Sequence, residues 1–250
     1  MTEQRITSRK NPLLQQVRRL LTSRREREQA GLYVADGTKL LEEAIRNEPG
    51  LETIILADGV EAQIPETVQL VRVPRDIMES ISPMDTPQGA LFLCRLPEKQ
   101  PPDIKPGMLL LDGIQDPGNL GTILRTADAL SVPVVLLEGC ADPYSPKVVR
   151  ASMGAVFRTR PVISSWAEVK SGCDRAGIPV AVTALSDTSR DIRKAHLPGM
   201  AVVIGSEGRG VRREILEQAR ESLIIPMNPR CESLNAAVAA TIVMWELRRG

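Results

Sequence analysis

Three turns of this 250-residue chain set polar side chains among glycines directly after short apolar runs, and each is a candidate site of chemistry. The first is Asp112-Gly113-Ile114-Gln115-Asp116-Pro117-Gly118-Asn119, leading into Leu120-Gly121 and Arg125. Glycines let a backbone approach a ligand closely, and a helix N-terminus offers free N–H groups. The pattern is neither G-x-G-x-x-G nor G-x-x-x-x-G-K-S/T, so neither a dinucleotide fingerprint nor a P-loop is present. Arg125 follows Asn119 by about one and two-thirds helical turns. It reaches the strand ends only if the helix start faces them, and is otherwise a surface cation. The second turn, Gly205-Ser206-Glu207-Gly208-Arg209-Gly210, has three glycines in six residues and suits a loop wrapped around a small molecule. Glu207 gains little from packing there, which favours a polar role. The third runs from Ile225-Pro226-Met227 to Ser233-Leu234-Asn235. Ser233 reads either as the cap of the last helix or as a site residue. Asn235, in the first turn of that helix, is a poor helix former, which points to a side-chain role.

The elements that must carry these turns alternate. After residue 107 the pattern predicts strands at 108–111, 134–137, 179–183, 201–204 and 223–225. Helices are predicted over 120–130, 147–153, 166–176, 211–220 and 234–247. Such alternation implies a parallel sheet, whose ligands bind at the carboxyl ends of its strands. Four prolines in residues 97–106 read as a semi-rigid linker. The domains are therefore expected at 1–98 and 107–250, joined by a linker over 99–106. The first reads as a small α/β sandwich, with a basic helix over 11–29, strands at 32–35, 53–56, 68–73 and 90–93, and helices over 38–46 and 75–80.

Composition narrows the function. The chain is 42% hydrophobic and 25% charged, an ordinary globular balance. No apolar run approaches the ~20 residues of a membrane helix, and the N-terminus lacks an apolar signal core. The expectation is a cytoplasmic protein that binds no membrane. Six scattered aromatics disfavour binding by rows of stacked bases. Four cysteines without a C-x-x-C pair, and the single His196, leave no zinc site and expect no metal. A Ser-His-Asp triad would have to use His196, which has no nucleophile elbow. Net charge is only +1, yet residues 1–30 hold eight cations against three anions. Arg9, Lys10, Arg18, Arg24 and Arg25 are candidate phosphate contacts on that segment; the alternative is a solvated helix face.

In their order, the three turns resemble the motifs of the SpoU (TrmH-type) branch of the SPOUT superfamily. Members are S-adenosylmethionine-dependent RNA ribose 2′-O-methyltransferases. Asn119-Leu120-Gly121 with Arg125-Thr126-Ala127 resembles the first motif, Ile204 to Gly210 the second, and Ile225-Pro226-Met227 with Ser233-Leu234-Asn235 the third. The resemblance spans 107–250. More loosely, Ser8-Arg9-Lys10-Asn11-Pro12 and Tyr33 to Gly37 resemble the family's L30e-like RNA-binding domain, which leaves little room for a transit peptide. Asp36-Gly37 departs from the usual Glu-Gly, and Asn228-Pro229 stands where a glycine is more usual.

The resemblance implies an α/β fold whose C-terminal parallel-sheet SPOUT domain holds a deep trefoil knot, preceded by the small L30e-like α/β domain. It implies a homodimer through the knotted domain, and a cofactor held by Gly205, Ile225 and Leu234, with Met227 and Leu185 as further contacts. It assigns catalysis to Arg125, supported by Asn119, Glu207, Ser233 and Asn235. Free arginine holds its proton to above ~12, so Arg125 reads equally well as a clamp on the target phosphate. The substrate implied is RNA, with ribosomal (23S-type) RNA favoured by the appended domain. A transfer RNA substrate and a non-catalytic knotted RNA-binding protein are the alternatives. A nucleotide-cofactor oxidoreductase lacks its fingerprint glycines.

Overall fold

The computed structural model describes residues 3–186, 188–228 and 230–249. The first part of the chain forms β1 (Glu3–Arg5), α1 (Pro12–Thr22), α2 (Arg24–Ala30), β2 (Leu32–Asp36), α3 (Thr38–Asn47), β3 (Leu51–Ala57), β4 (Gln69–Val73), α4 (Arg75–Ile81) and β5 (Ala90–Arg95). It continues through β6 (Met108–Asp112), α5 (Pro117–Leu130), β7 (Val134–Leu136), α6 (Pro146–Ala151), α7 (Ala155–Thr159), β8 (Val162–Ile163) and α8 (Trp166–Ala176). It ends with β9 (Val180–Thr183), β10 (Arg190–Asp191), β11 (Ala201–Gly205), α9 (Arg213–Gln218), β12 (Glu221–Ile224) and α10 (Ala236–Arg248).

Two compact units result. One holds the chain up to Glu98 together with Asp142–Arg158, and the other holds Lys99–Ala141 and Thr159–Gly250. In the first, five strands lie in the order β1-β4-β3-β5-β2, with β5 antiparallel to both neighbours. The predicted basic helix is broken at Ser23, which ends α1 and caps α2 by accepting from the Glu26 N–H. The apolar stripe Leu14, Val17 and Leu20 on α1 is buried against the sheet core. Strand β1 escaped the sequence reading because its three residues are all polar and exposed.

Segment 142–158 is drawn into this unit by complementary groups. The Arg27 side chain, 6% exposed, meets Asp142, 14% exposed, at 2.6 Å. Tyr144 lies 5.0 Å from Tyr33, and Phe157 lies 6.2 Å from Phe92, between ring centroids. Four of the six aromatics thus form two tilted pairs here.

The second unit is a seven-stranded sheet in the order β10-β12-β9-β11-β6-β7-β8, with every pairing parallel. All five residues of β6 are buried, as in a strand covered on both faces. Helix α8 spans the predicted residues because both ends are marked. Ser165 and Glu168 form a capping box, and Gly177 ends the helix with φ 66°. Helix α10 packs on α5 and β11, and its Ala236, Ala237, Ala240, Val243, Met244 and Leu247 are buried. Its start corrects the sequence reading: the helix begins at Ala236, not 234, and Asn235 is its cap. Helix α9 is shorter than the predicted 211–220, and two-residue strands such as β8 and β10 carry too few positions to show a period.

Replacing Arg27 by Met removes the partner of the Asp142 carboxylate, which is only partly exposed. Chemical denaturation of this variant is expected to show a loss of about 3–5 kcal/mol, most of it recovered when Asp142→Leu is added.

Candidate active site

All strands of the second unit run the same way, so the turns after β6, β9, β11 and β12 emerge along one edge of the sheet. The turn after β6 ends at Asp116, whose carboxylate accepts the Asn119 N–H at 2.7 Å, while Pro117 opens α5. This places Asn119 in the first turn of α5, at the end of the sheet where the other turns arrive.

There its side chain joins two residues far away in sequence. Asn235 Oδ1 is occupied by the Ala237 and Val238 N–H groups at 2.9 and 3.3 Å. Its Nδ2 therefore faces outward and donates to Asn119 Oδ1 at 3.0 Å. With its oxygen so used, Asn119 must present Nδ2, and it donates to Glu207 Oε1. The helix cap thus sets the direction of the whole chain, from Asn235 through Asn119 to Glu207, and makes Glu207 an acceptor.

Glu207 also lines a cavity of about 320 Å³ between the turns that follow β9, β11 and β12. Gly205, Ile225, Leu234, Met227 and Leu185, the residues named as cofactor contacts by resemblance, all line it, as does Ser233. Ser233 is exposed and does not cap the last helix. Arg125 is exposed on α5, and its side chain makes no hydrogen bond or ion pair among the described residues. Asn119, Glu207 and Asn235 are therefore brought together by hydrogen bonds, Glu207 and Ser233 by the cavity, and Arg125 by neither.

Gly205 lies directly against the end of its own turn. A Cβ there would sit 2.1–2.2 Å from the Gly210 carbonyl and the Val211 nitrogen, so only glycine allows the turn to cross its own start. Cys140 sits on the same strand edge, donating to the Leu111 carbonyl at 3.2 Å. Burial is the main cause that pushes its thiol up to about 11, so it stays protonated and is no nucleophile. Among the described residues no group of three His, Cys, Asp or Glu side chains is placed to hold a metal.

The sequence reading missed Thr183, Ser206, Arg209 and Leu216, which also wall the cavity. Ser206 and Arg209 belong to the glycine-rich turn already singled out. Thr183 ends β9, and it becomes a candidate only once β9 is known to lie beside β11 and β12. Pro229, noted as a departure from the family pattern, lies outside the described residues.

In the first unit the five basic candidates differ. Arg9 pairs with Asp76 at 2.8 Å, and Arg24 with Glu28 at 2.8 Å. Arg18 donates to the Arg9 carbonyl and to Ser80. Lys10 and Arg25 are exposed and make no ion pair among the described residues.

Known proteins match both units. The SpoU rRNA methylase family matches residues 106–245, and the MRM3-like substrate binding domain matches residues 11–91. The 23S rRNA (guanosine(2553)-2′-O)-methyltransferase of Bacillus subtilis is 32% identical over 97% of this chain and 98% of its own. The AdoMet-bound rRNA methyltransferase from Sinorhizobium meliloti superposes with a TM-score of 0.88 at 29% identity, covering 99% of this chain and 98% of that one. The AdoMet complex of the SpoU methyltransferase AviRb from Streptomyces viridochromogenes gives 0.83 at 26% identity, over 96% and 98%.

Gly205→Ala is expected to force the 205–211 turn apart. Thermal unfolding should register a loss of about 1–3 kcal/mol, the range for overpacked sites, and amide exchange in the turn should rise with it.

Proposed function

The chain belongs to the SpoU rRNA methylase family, and from that premise we propose that it transfers a methyl group from S-adenosylmethionine to a ribose 2′-hydroxyl of ribosomal RNA. The observation that carries this reading is the cavity at the strand ends with Glu207 on its wall, tied through Asn119 to the cap of the last helix.

The cavity suits the cofactor. Its volume falls in the ~300–1,000 Å³ range of small-molecule sites. Leu185, Ile225, Met227 and Leu234 offer apolar surface for a purine, and the open strand ends offer backbone donors and acceptors. When bound, S-adenosylmethionine supplies a methyl group on a cationic sulfonium, which leaves positioning and electrostatics to the protein.

The residues divide that work. The exposed Arg125 guanidinium is free to grip the phosphate beside the target ribose with two parallel hydrogen bonds. A guanidinium keeps its proton, so the phosphate oxygen or a water takes the proton of the 2′-hydroxyl. Asn119, Glu207 and Asn235 hold the three turns in register, and Ser233 orients the ribose. Lys10 and Arg25, with the neighbouring arginines, meet backbone phosphates of the RNA through the substrate-binding unit. The reading includes a knotted second unit and a homodimer formed through it. Exposed Val238 and Trp245 on α10, 49% and 63% accessible, support the dimer by supplying apolar surface. A cytoplasmic location is part of the same reading, supported by the likeness to a bacterial rRNA methyltransferase and by four cysteines that are free thiols.

The test is transfer of tritiated methyl to unmodified total RNA, naked and as ribosomal subunits, followed by digestion to nucleosides. A labelled 2′-O-methylnucleoside from ribosomal RNA is the expected product. Label on a base, or no transfer to either form, overturns the reading. Arg125→Ala is expected to lower kcat about a hundredfold or more, the scale of a lost transition-state contact, with cofactor affinity within twofold. Asn235→Asp keeps the helix cap but presents a carboxylate to Asn119. Asn119 then turns its oxygen toward Glu207, so turnover should fall while the melting temperature holds. RNA affinity should fall steeply between low and high salt.

A further inference from the structure

Asp112 is a carboxylate at the end of an otherwise apolar strand, and its side chain is 1% exposed. Both of its oxygens are taken by a single residue a hundred positions away. Oδ2 accepts the Arg212 backbone N–H at 2.8 Å, and Oδ1 accepts Arg212 Nε at 2.7 Å. On its other side Asp112 stands in register with Gly205 of β11. The turn that leaves the sheet at Gly205 is thus fastened at its far end, Arg212, to the residue paired with its start.

Between these two points the turn is closed on itself. Ser206 and Gly210 exchange backbone hydrogen bonds at 3.2 and 2.9 Å, and the Arg209 N–H donates to Ser206 Oγ at 3.3 Å. Ser206, Glu207, Arg209, Gly210 and Val211 all wall the cavity. Arg212 also precedes α9, whose Leu216 completes that wall. Arg212 reaches Glu138 as well, at 3.5 Å, but Glu138 is 63% exposed, and an exposed pair of this kind contributes little.

We propose that Asp112 and Arg212 form a latch that holds the 205–212 turn in its cofactor-binding shape, making them positioning residues for methyl transfer. The inference rests on the functional reading above and adds to it the group that preorganises the pocket. A carboxylate withdrawn from water is stable only while its donors stay in place. The latch therefore favours the closed turn before any ligand arrives, and ligand binding energy is not spent on ordering it. Losing the latch should weaken cofactor binding while leaving chemistry nearly intact once the cofactor saturates.

Two full-length variants test this, Asp112→Asn and Arg212→Ser; the second changes a partly exposed side chain and guards against a failure of the first to fold. The readouts are hydrogen exchange at the Gly210 and Arg212 amides, cofactor Kd by calorimetry, and kcat with both KM values. Exchange should speed up at least tenfold, and cofactor Kd and KM should rise about tenfold to a hundredfold, the scale of hydrogen bonds to a charged group. The kcat at saturating cofactor should stay within threefold, and the KM for RNA should not move. Glu138→Gln should shift each quantity less than twofold. Unchanged exchange and unchanged Kd overturn the latch, and so does a parallel loss of kcat and both KM values, which would mark general damage. If the unaltered protein neither binds S-adenosylmethionine nor transfers methyl, the functional reading fails. The exchange rates would then still decide whether Asp112 holds the turn, and its role in methyl transfer would fall.

Discussion

Seven parallel strands impose the constraint on which the second unit depends. In a parallel sheet every carboxyl end lies on the same edge, so turns separated by more than a hundred residues converge there without further instruction. The turn after β6 delivers Asn119, the turn after β11 delivers Glu207, and the turn after β12 delivers Ser233 and Asn235. The central strands are buried on both faces, which gives them little freedom to shift register. The edge is therefore a rigid platform for side chains that carry no rigidity of their own.

On that platform, polarity passes from one group to the next. Because two backbone N–H groups occupy one end of the Asn235 amide, its other end is fixed, and this fixes Asn119 and then Glu207. A capping interaction, ordinarily a local stabilising device, here orients a network that spans three turns. The Asp112–Arg212 pair works on the same edge by a different means, since it closes a turn whose residues form the cavity wall. Directional hydrogen bonds and a buried ion pair thus both fix the turns that wall the cavity.

The first unit uses burial in another way. Its aromatics are few, and four of them are spent on holding segment 142–158 beside the Arg27–Asp142 pair. Sequence position 142–158 lies between β7 and β8 of the other sheet, yet its side chains find their partners in the first unit. Tyr33 shows the depth of that packing: burial drives its hydroxyl well above the usual tyrosine range while it donates to Glu48 at 2.9 Å.

Local rules were enough for part of this protein. The alternation of apolar strands and amphipathic helices, the proline-rich stretch near residue 100 and the three polar turns all follow from short-range pattern. The bounds of α8 follow from a capping box and a terminal glycine that each act within a few residues. The break of the basic segment at Ser23, the true start of α10 and the strands β1, β8 and β10 did not follow, because too few residues carry each signal. The hydrogen-bonded chain through Asn119, the partner of Asp112 and the destination of segment 142–158 were decided by tertiary structure alone. Each depends on which strands lie side by side, and strand order is set by long-range burial that no window of neighbouring residues encodes.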